Sequence, residues 1–165
     1  MDLPAFRTLR LRAVKETPGA FGATVADERK TADKTYLLGF GIGAKNNFLL
    51  GGFVNGELAG VVGFRRFALG NLKHKGAIWG MYVAPEHRKR GMGAELLKEC
   101  LVRAAKKIGL ELVQLAVESG NKSAIGLYQR AGFRKYAVEK RGLKVGRKYY
   151  DEFWMQADLP ARVRG

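Results

Sequence analysis

The sequence predicts a mixed α/β domain with one central sheet. Three features lead there. Helical apolar periodicity opens the chain, an Asn55-Gly56 hairpin signal follows it, and later segments alternate between helix and strand patterns.

Asp2 is placed to cap a helix whose first turn accepts Pro4. Phe6, Leu9, Ala13 and Val14 then recur at helical spacing until Pro18-Gly19 ends the run. A second helix fits 25–38, and the glycine-rich stretch 39–43 breaks it. Strands at 48–54 and 57–67 flank Asn55-Gly56, a pair that favours a type I′ turn. Residues 70–75 form a polar, basic turn. The stretch 77–83 is nearly all apolar, as a strand central in a sheet is, and Pro85 stops it. Met92, Leu96, Leu97, Cys100, Leu101, Ala104 and Ile108 trace one stripe of a helix over 91–108, closed by Gly109. A strand at 111–118, a short helix over 121–131 closed by Gly132, and paired strands at 133–143 and 147–157 complete the chain. No linker or repeat divides it, so 1–165 reads as a single domain.

Apolar residues at 47% and charged residues at 27% are globular values. No apolar run approaches the roughly 18 residues a membrane-crossing helix needs. No basic leader precedes an apolar stretch. The lone Cys100 rules out an internal disulfide, and its separation from His74 and His87 leaves no zinc spacing. A cytoplasmic protein without metal or membrane partner is expected. The 30 Lys and Arg against 15 Asp and Glu give a net charge of +15, with residues 61–110 holding 11 basic and 3 acidic groups. An anionic partner fits: nucleic acid, a phosphorylated cofactor or an acidic substrate. A solvated basic surface fits as well.

The most informative segment is Val83-Ala84-Pro85-Glu86-His87-Arg88-Lys89-Arg90-Gly91-Met92-Gly93-Ala94. A buried strand ends, a basic turn follows, and two glycines open a long helix. The first turn of a helix offers unpaired N–H groups and partial positive charge, and glycine lets a bulky anion approach them. This is a diphosphate site. A dinucleotide fingerprint needs a third glycine where Leu96 stands, and a nucleotide P-loop needs Lys-Ser/Thr where Ala94-Glu95 stands. The segment resembles the coenzyme A loop of GNAT-type N-acetyltransferases, Gln/Arg-x-x-Gly-x-Gly/Ala, at every position from Arg88 to Gly93. About thirty residues on, Asn121, Ala124, Leu127, Tyr128, Gly132 and Phe133 match that family's Asn-x-x-Ala-x-x-Leu-Tyr-x-x-x-Gly-Phe segment. Asn121 and Tyr128, seven residues apart, share one helix face within about 20°. The resemblance extends from about Leu9 to Leu159.

The resemblance implies a mostly antiparallel sheet, splayed at the cofactor site, with helices on both faces. It also implies a first strand before the first helix; here the helix starts almost at Met1, so either that strand is missing or the chain starts late. Acetyl-CoA is the implied cofactor, held by Arg88, Lys89, Arg90, Gly91, Met92, Gly93, Ala94 and Asn121, with the main chain of Met81, Tyr82 and Val83 on its arm. Tyr128 would touch the cofactor and serve as general acid to the departing sulfur. The position of the base in many relatives holds Ala116. Strand alternation puts Glu118 on the same face, as the candidate base; Glu86, His74 and Asp151 are alternatives. Phe21 and Trp79, with Phe40 and Trp154, are candidates to line a substrate pocket.

The expected reaction is direct transfer of an acetyl group to a primary amine of a small molecule, with protein N-termini or lysines as alternative acceptors. The net charge disfavours polyamines at long range, although a local acidic pocket overrides that. A basic nucleic-acid-binding module explains the charge but neither motif, so a nucleic-acid partner is not favoured. A non-catalytic acetyl-CoA sensor would explain Ala116. A homodimer is implied only by the resemblance.

Overall fold

The computed structural model describes residues 3–33, 46–106 and 109–159. The predicted Asp2 cap, the second helix beyond residue 33, the glycine run 39–43 with Phe40, and Ile108 lie outside them. In chain order the elements are α1 (Leu3–Glu16), α2 (Val25–Lys30), β1 (Phe48–Val54), β2 (Glu57–Arg66), β3 (Lys75–Val83), α3 (Met92–Ala105), β4 (Leu112–Glu118), α4 (Lys122–Arg130), β5 (Arg134–Val145) and β6 (Lys148–Asp158). Short 3-10 turns lie at Pro18–Ala20, Gly70–Leu72 and Pro85–His87. The strands form one sheet in the order β1-β2-β3-β4-β6-β5. Every neighbouring pair is antiparallel except β3 with β4. No strand precedes α1 among the described residues.

The second helix departs from the sequence expectation. A capping box between Thr24 and Asp27 starts it, but Thr31 is already extended, with φ −73° and ψ 120°. Residues 26–33 contain only alanine and polar or charged side chains, so no apolar stripe holds the helix past Lys30.

Helices cover both faces of the sheet. On one, Leu97, Cys100 and Ala104 of α3 pack with Tyr128 of α4 against Val62, Phe64, Val113, Leu115 and Met155. On the other, Phe6, Leu9 and Ala13 of α1 pack against Val61 and Tyr82. Adjacent Val61 and Val62 serve opposite cores because strand side chains alternate. Burial of each large apolar side chain is worth about 1.5–3 kcal/mol. Cys100 is wholly buried, and burial pushes its thiol up to about 12.

The parallel pair β3–β4 sets the site. Only Lys75, Gly76 and Ala77 pair, with Leu112, Val113 and Gln114. Beyond them the strands part. A bulge helps: Gly80 and Met81 together face Val62, and Gly80 takes φ +61°. β4 meanwhile follows β6 as far as Glu118 opposite Glu152.

Candidate active site

Where β3 and β4 part, a cleft opens through the sheet, with about 460 Å³ of empty space including its mouth. Tyr128 and Ala124 reach it from the α3–α4 face. Phe21 and Trp79 line it from the α1 face. Ala116 and Glu118 also line it, and their alternation with buried Leu115 and Val117 puts them on the α1 face too. Met81 and Asn121 complete the set of predicted residues that the fold gathers here.

Tyr128 is 7% exposed, its ring meets Phe133 edge-on, and its hydroxyl makes no hydrogen bond among the described residues. Burial, then Cys100, raises the phenol to about 12. It therefore keeps its proton at neutral pH, as a general acid must. Asn121 caps α4, its Oδ1 accepting from the Ala124 N–H at 3.1 Å. Glu118 accepts from the Gly120 N–H through Oε1 at 2.8 Å, which fixes the carboxylate at the end of β4.

The loop from β3 to α3 is built as the sequence predicts. Lys89 and Gly91 both take positive φ, +60° and +87°. Alternating left- and right-handed residues point successive N–H groups into one concavity. The N–H groups of Lys89, Arg90, Gly91, Met92 and Gly93 make no hydrogen bond among the described residues, while that of Ala94 turns back to Gly91 O. A Cβ at Gly91 would meet nothing, so the approach is open. This donor set fits a diphosphate.

Other predicted residues are placed differently. The ladder to β2 takes the main chain of Tyr82, so Val83 directs its N–H and C=O away from β2. Val83 O accepts from Arg88 Nε at 2.8 Å, and the Arg88 guanidinium lies 5.4 Å from the Tyr82 ring centre. Arg88 thus braces the end of β3. The Tyr82 side chain points into the α1 core and donates to Glu16 Oε2 at 2.5 Å. Glu86 is clamped by Arg12 at 2.6 and 2.7 Å. Asp151 accepts from Lys140 and the Arg141 N–H. His74 stands beside the paired end of β3, away from the cleft. Trp154 stands opposite Ala116 on β6 and donates to Glu139 at 2.8 Å.

Sequence reasoning missed a buried pair behind the cleft. Arg10 and Glu28 are 6% and 4% exposed, with Arg10 Nε donating to Glu28 Oε1 at 2.9 Å. The guanidinium stacks 4.4 Å from the Phe21 ring centre. Arg10 does occupy the buried face of α1, between Leu9 and Ala13, and that was the one signal available.

The model of the acetyltransferase (GNAT) family matches residues 13–133, well over half of the chain. The chain belongs to the GNAT family. Among its relatives, an L-methionine sulfoximine/L-methionine sulfone acetyltransferase of Pseudomonas aeruginosa is 38% identical over 80 residues, 48% of this chain and 45% of that protein. The chain spans about half the length of the curated relatives it matches. A GNAT-family acetyltransferase of Streptococcus pneumoniae shares the fold with a TM-score of 0.85 and 24% identity, covering 96% of this chain and 94% of the other. The Salmonella typhimurium protein yncA, solved with its cofactor acetyl-CoA, superposes with a TM-score of 0.78 at 22% identity over 99% of this chain and 92% of its own. Among the described residues, no helix is long and apolar enough to cross a membrane, and no cluster of His, Cys, Asp or Glu could hold a metal ion.

Proposed function

We propose that residues 1–165 act as one acetyltransferase domain that moves an acetyl group from acetyl-CoA to a primary amine of a small molecule, without an acyl-enzyme. The observation that carries this reading is Tyr128: a buried phenol with a free hydroxyl, in the gap between β3 and β4. Family membership and the diphosphate-fitting loop support the cofactor. The methionine sulfone acetyltransferase relative supports a small acceptor.

Acetyl-CoA supplies an activated acetyl carbon and a thiolate leaving group. The chain supplies the rest. Unpaired N–H groups from Lys89 to Gly93 hold the diphosphate. The Val83 N–H, freed by the splay, polarises the acetyl carbonyl, a contribution of about 3–4 kcal/mol for one well-aimed donor. Glu118, fixed by Gly120, takes the proton from the attacking amine. Tyr128 donates to the departing sulfur.

Thiol release from acetyl-CoA across an amine library tests the reaction, with thermal stabilisation by CoA as the binding control. Tyr128→Phe should lower turnover more than about tenfold while leaving CoA stabilisation intact. Wild-type turnover in that variant removes Tyr128 from the chemistry.

A further inference from the structure

The buried Arg10–Glu28 pair is a poor means of stabilising the fold. The cost of taking two charges out of water largely cancels their attraction, and packed apolar side chains of similar volume serve as well. This pair is also incomplete. Glu28 Oε2 is buried and accepts no hydrogen bond among the described residues, which adds a further desolvation cost. A local rule broken in this way beside a cleft points to a role in the cleft.

What the guanidinium touches defines that role. Glu28 of α2 holds its Nε, and its centre lies over the Phe21 ring. Its Nη1 lies 3.5 Å from where a Cβ at residue 80 would stand. Phe21 and Gly80 both line the cleft, and Arg10 itself does not. Phe21 follows the Pro18–Ala20 turn in extended conformation, outside helix and sheet. Gly80 sits in the β3 bulge, outside the register with β2. Neither is fixed by a paired strand register of its own, and one side chain from α1 spans both. On the far side, the turn is pressed against β6 where Gly19 meets the Tyr150 ring. A planar guanidinium can hydrogen-bond, stack and brace a backbone at once, which an ammonium on a flexible stem cannot.

We propose that Arg10, oriented by Glu28, is a positioning residue for the acceptor: it fixes Phe21 against the β3 bulge and so sets the width of the cleft where the amine enters. This rests on the acetyl-transfer reading. It separates the two substrates, because the diphosphate loop is built from other residues, while the acceptor depends on the wall that Arg10 holds.

Steady-state kinetics test this, with L-methionine sulfone, or the library amine that releases thiol fastest, as acceptor. Arg10→Lys keeps a cation for Glu28 but loses the planar fork, and Arg10→Met with Glu28→Leu removes both charges. Each should raise acceptor KM about tenfold, with a smaller change in kcat and with CoA affinity by calorimetry unchanged. Val14→Ala, at a buried α1 position outside the cleft, should lower the melting temperature and leave acceptor KM as it is. Should Arg10→Lys fail to fold, the double variant carries the test. Wild-type KM in either Arg10 variant overturns the proposal. So does an equal rise in Val14→Ala, which would assign the effect to lost stability. If the wild type releases thiol with no amine, acetyl transfer alone fails, and a crystal structure of the double variant decides the positioning role. Phe21 should then stand about 1 Å or more from its present place. A Phe21 ring and Gly80 bulge left where they are overturn it.

Discussion

The Trp79 indole lies directly over the backbone of Gly63, its partner in the β2–β3 ladder, and a Cβ at residue 63 would stand only 2.1 Å from the nearest ring carbon. A wall of the cleft thus depends on a missing methyl group on β2, the strand next to β3. Gly63→Ala should cost about 1–3 kcal/mol by overpacking and should displace the indole. Acceptor KM is expected to rise while CoA binding stays constant. Unchanged KM with unchanged tryptophan fluorescence would show that the ring had not moved.

Arg88 and Arg90 are neighbours in a basic run with different tasks. Arg90 is exposed at the loop and makes no ion pair among the described residues, while Arg88 is engaged with Val83, Tyr82 and Glu16. Arg90→Ala should weaken CoA binding and flatten its salt dependence. Arg88→Ala should instead lower the melting temperature of the free protein. Titrations of both variants at two salt concentrations check this, and equal slopes would refute the division.

The Arg10–Glu28 pair joins α1 to α2 beneath Phe21. Removing one partner leaves a buried charge alone, which costs about 3–5 kcal/mol. Arg10→Met should therefore be strongly destabilised, and Arg10→Met with Glu28→Leu should recover much of the loss. A double-mutant cycle by urea unfolding measures the coupling; additive losses would mean that the pair does not act as a unit.

Glu86 gives the acid limb of stability a defined source. Its hydrogen bonds to Arg12 hold the carboxyl at about 2, against an ordinary 4.5. A depressed folded pKa contributes stability that is present above the unfolded value and lost as pH falls through the folded one. The window is thus about 4.5 down to 2. Glu86→Gln should flatten the melting temperature across that window, lowering it at neutral pH and changing little near pH 2. A slope equal to wild type would assign the acid limb to other carboxylates.

Local chemistry was legible and register was not. The loop from Arg88 to Ala94 could be read because glycine spacing, a strand end and a helix start are contiguous in sequence. Tyr128 and Asn121 could be read for the same reason. The parting of β3 from β4 could not, because it depends on where the parallel pairing stops and on the bulge opposite Val62. Arg10 with Glu28 joins positions 18 apart through the packing of α1 on α2, which no periodicity encodes. The break after Lys30 was not legible, because the charged residues of 27–30 favour helix while Thr31 turns extended.

Cys100 has a practical consequence. A thiol sealed in the core with its pKa near 12 is neither ionised nor reachable in neutral buffer. Disulfide dyes added to the native protein should stay colourless, so any yellow that develops on turnover counts liberated coenzyme molecules one by one. The same dye should turn yellow once denaturant is added, giving a colorimetric readout of unfolding without an added label.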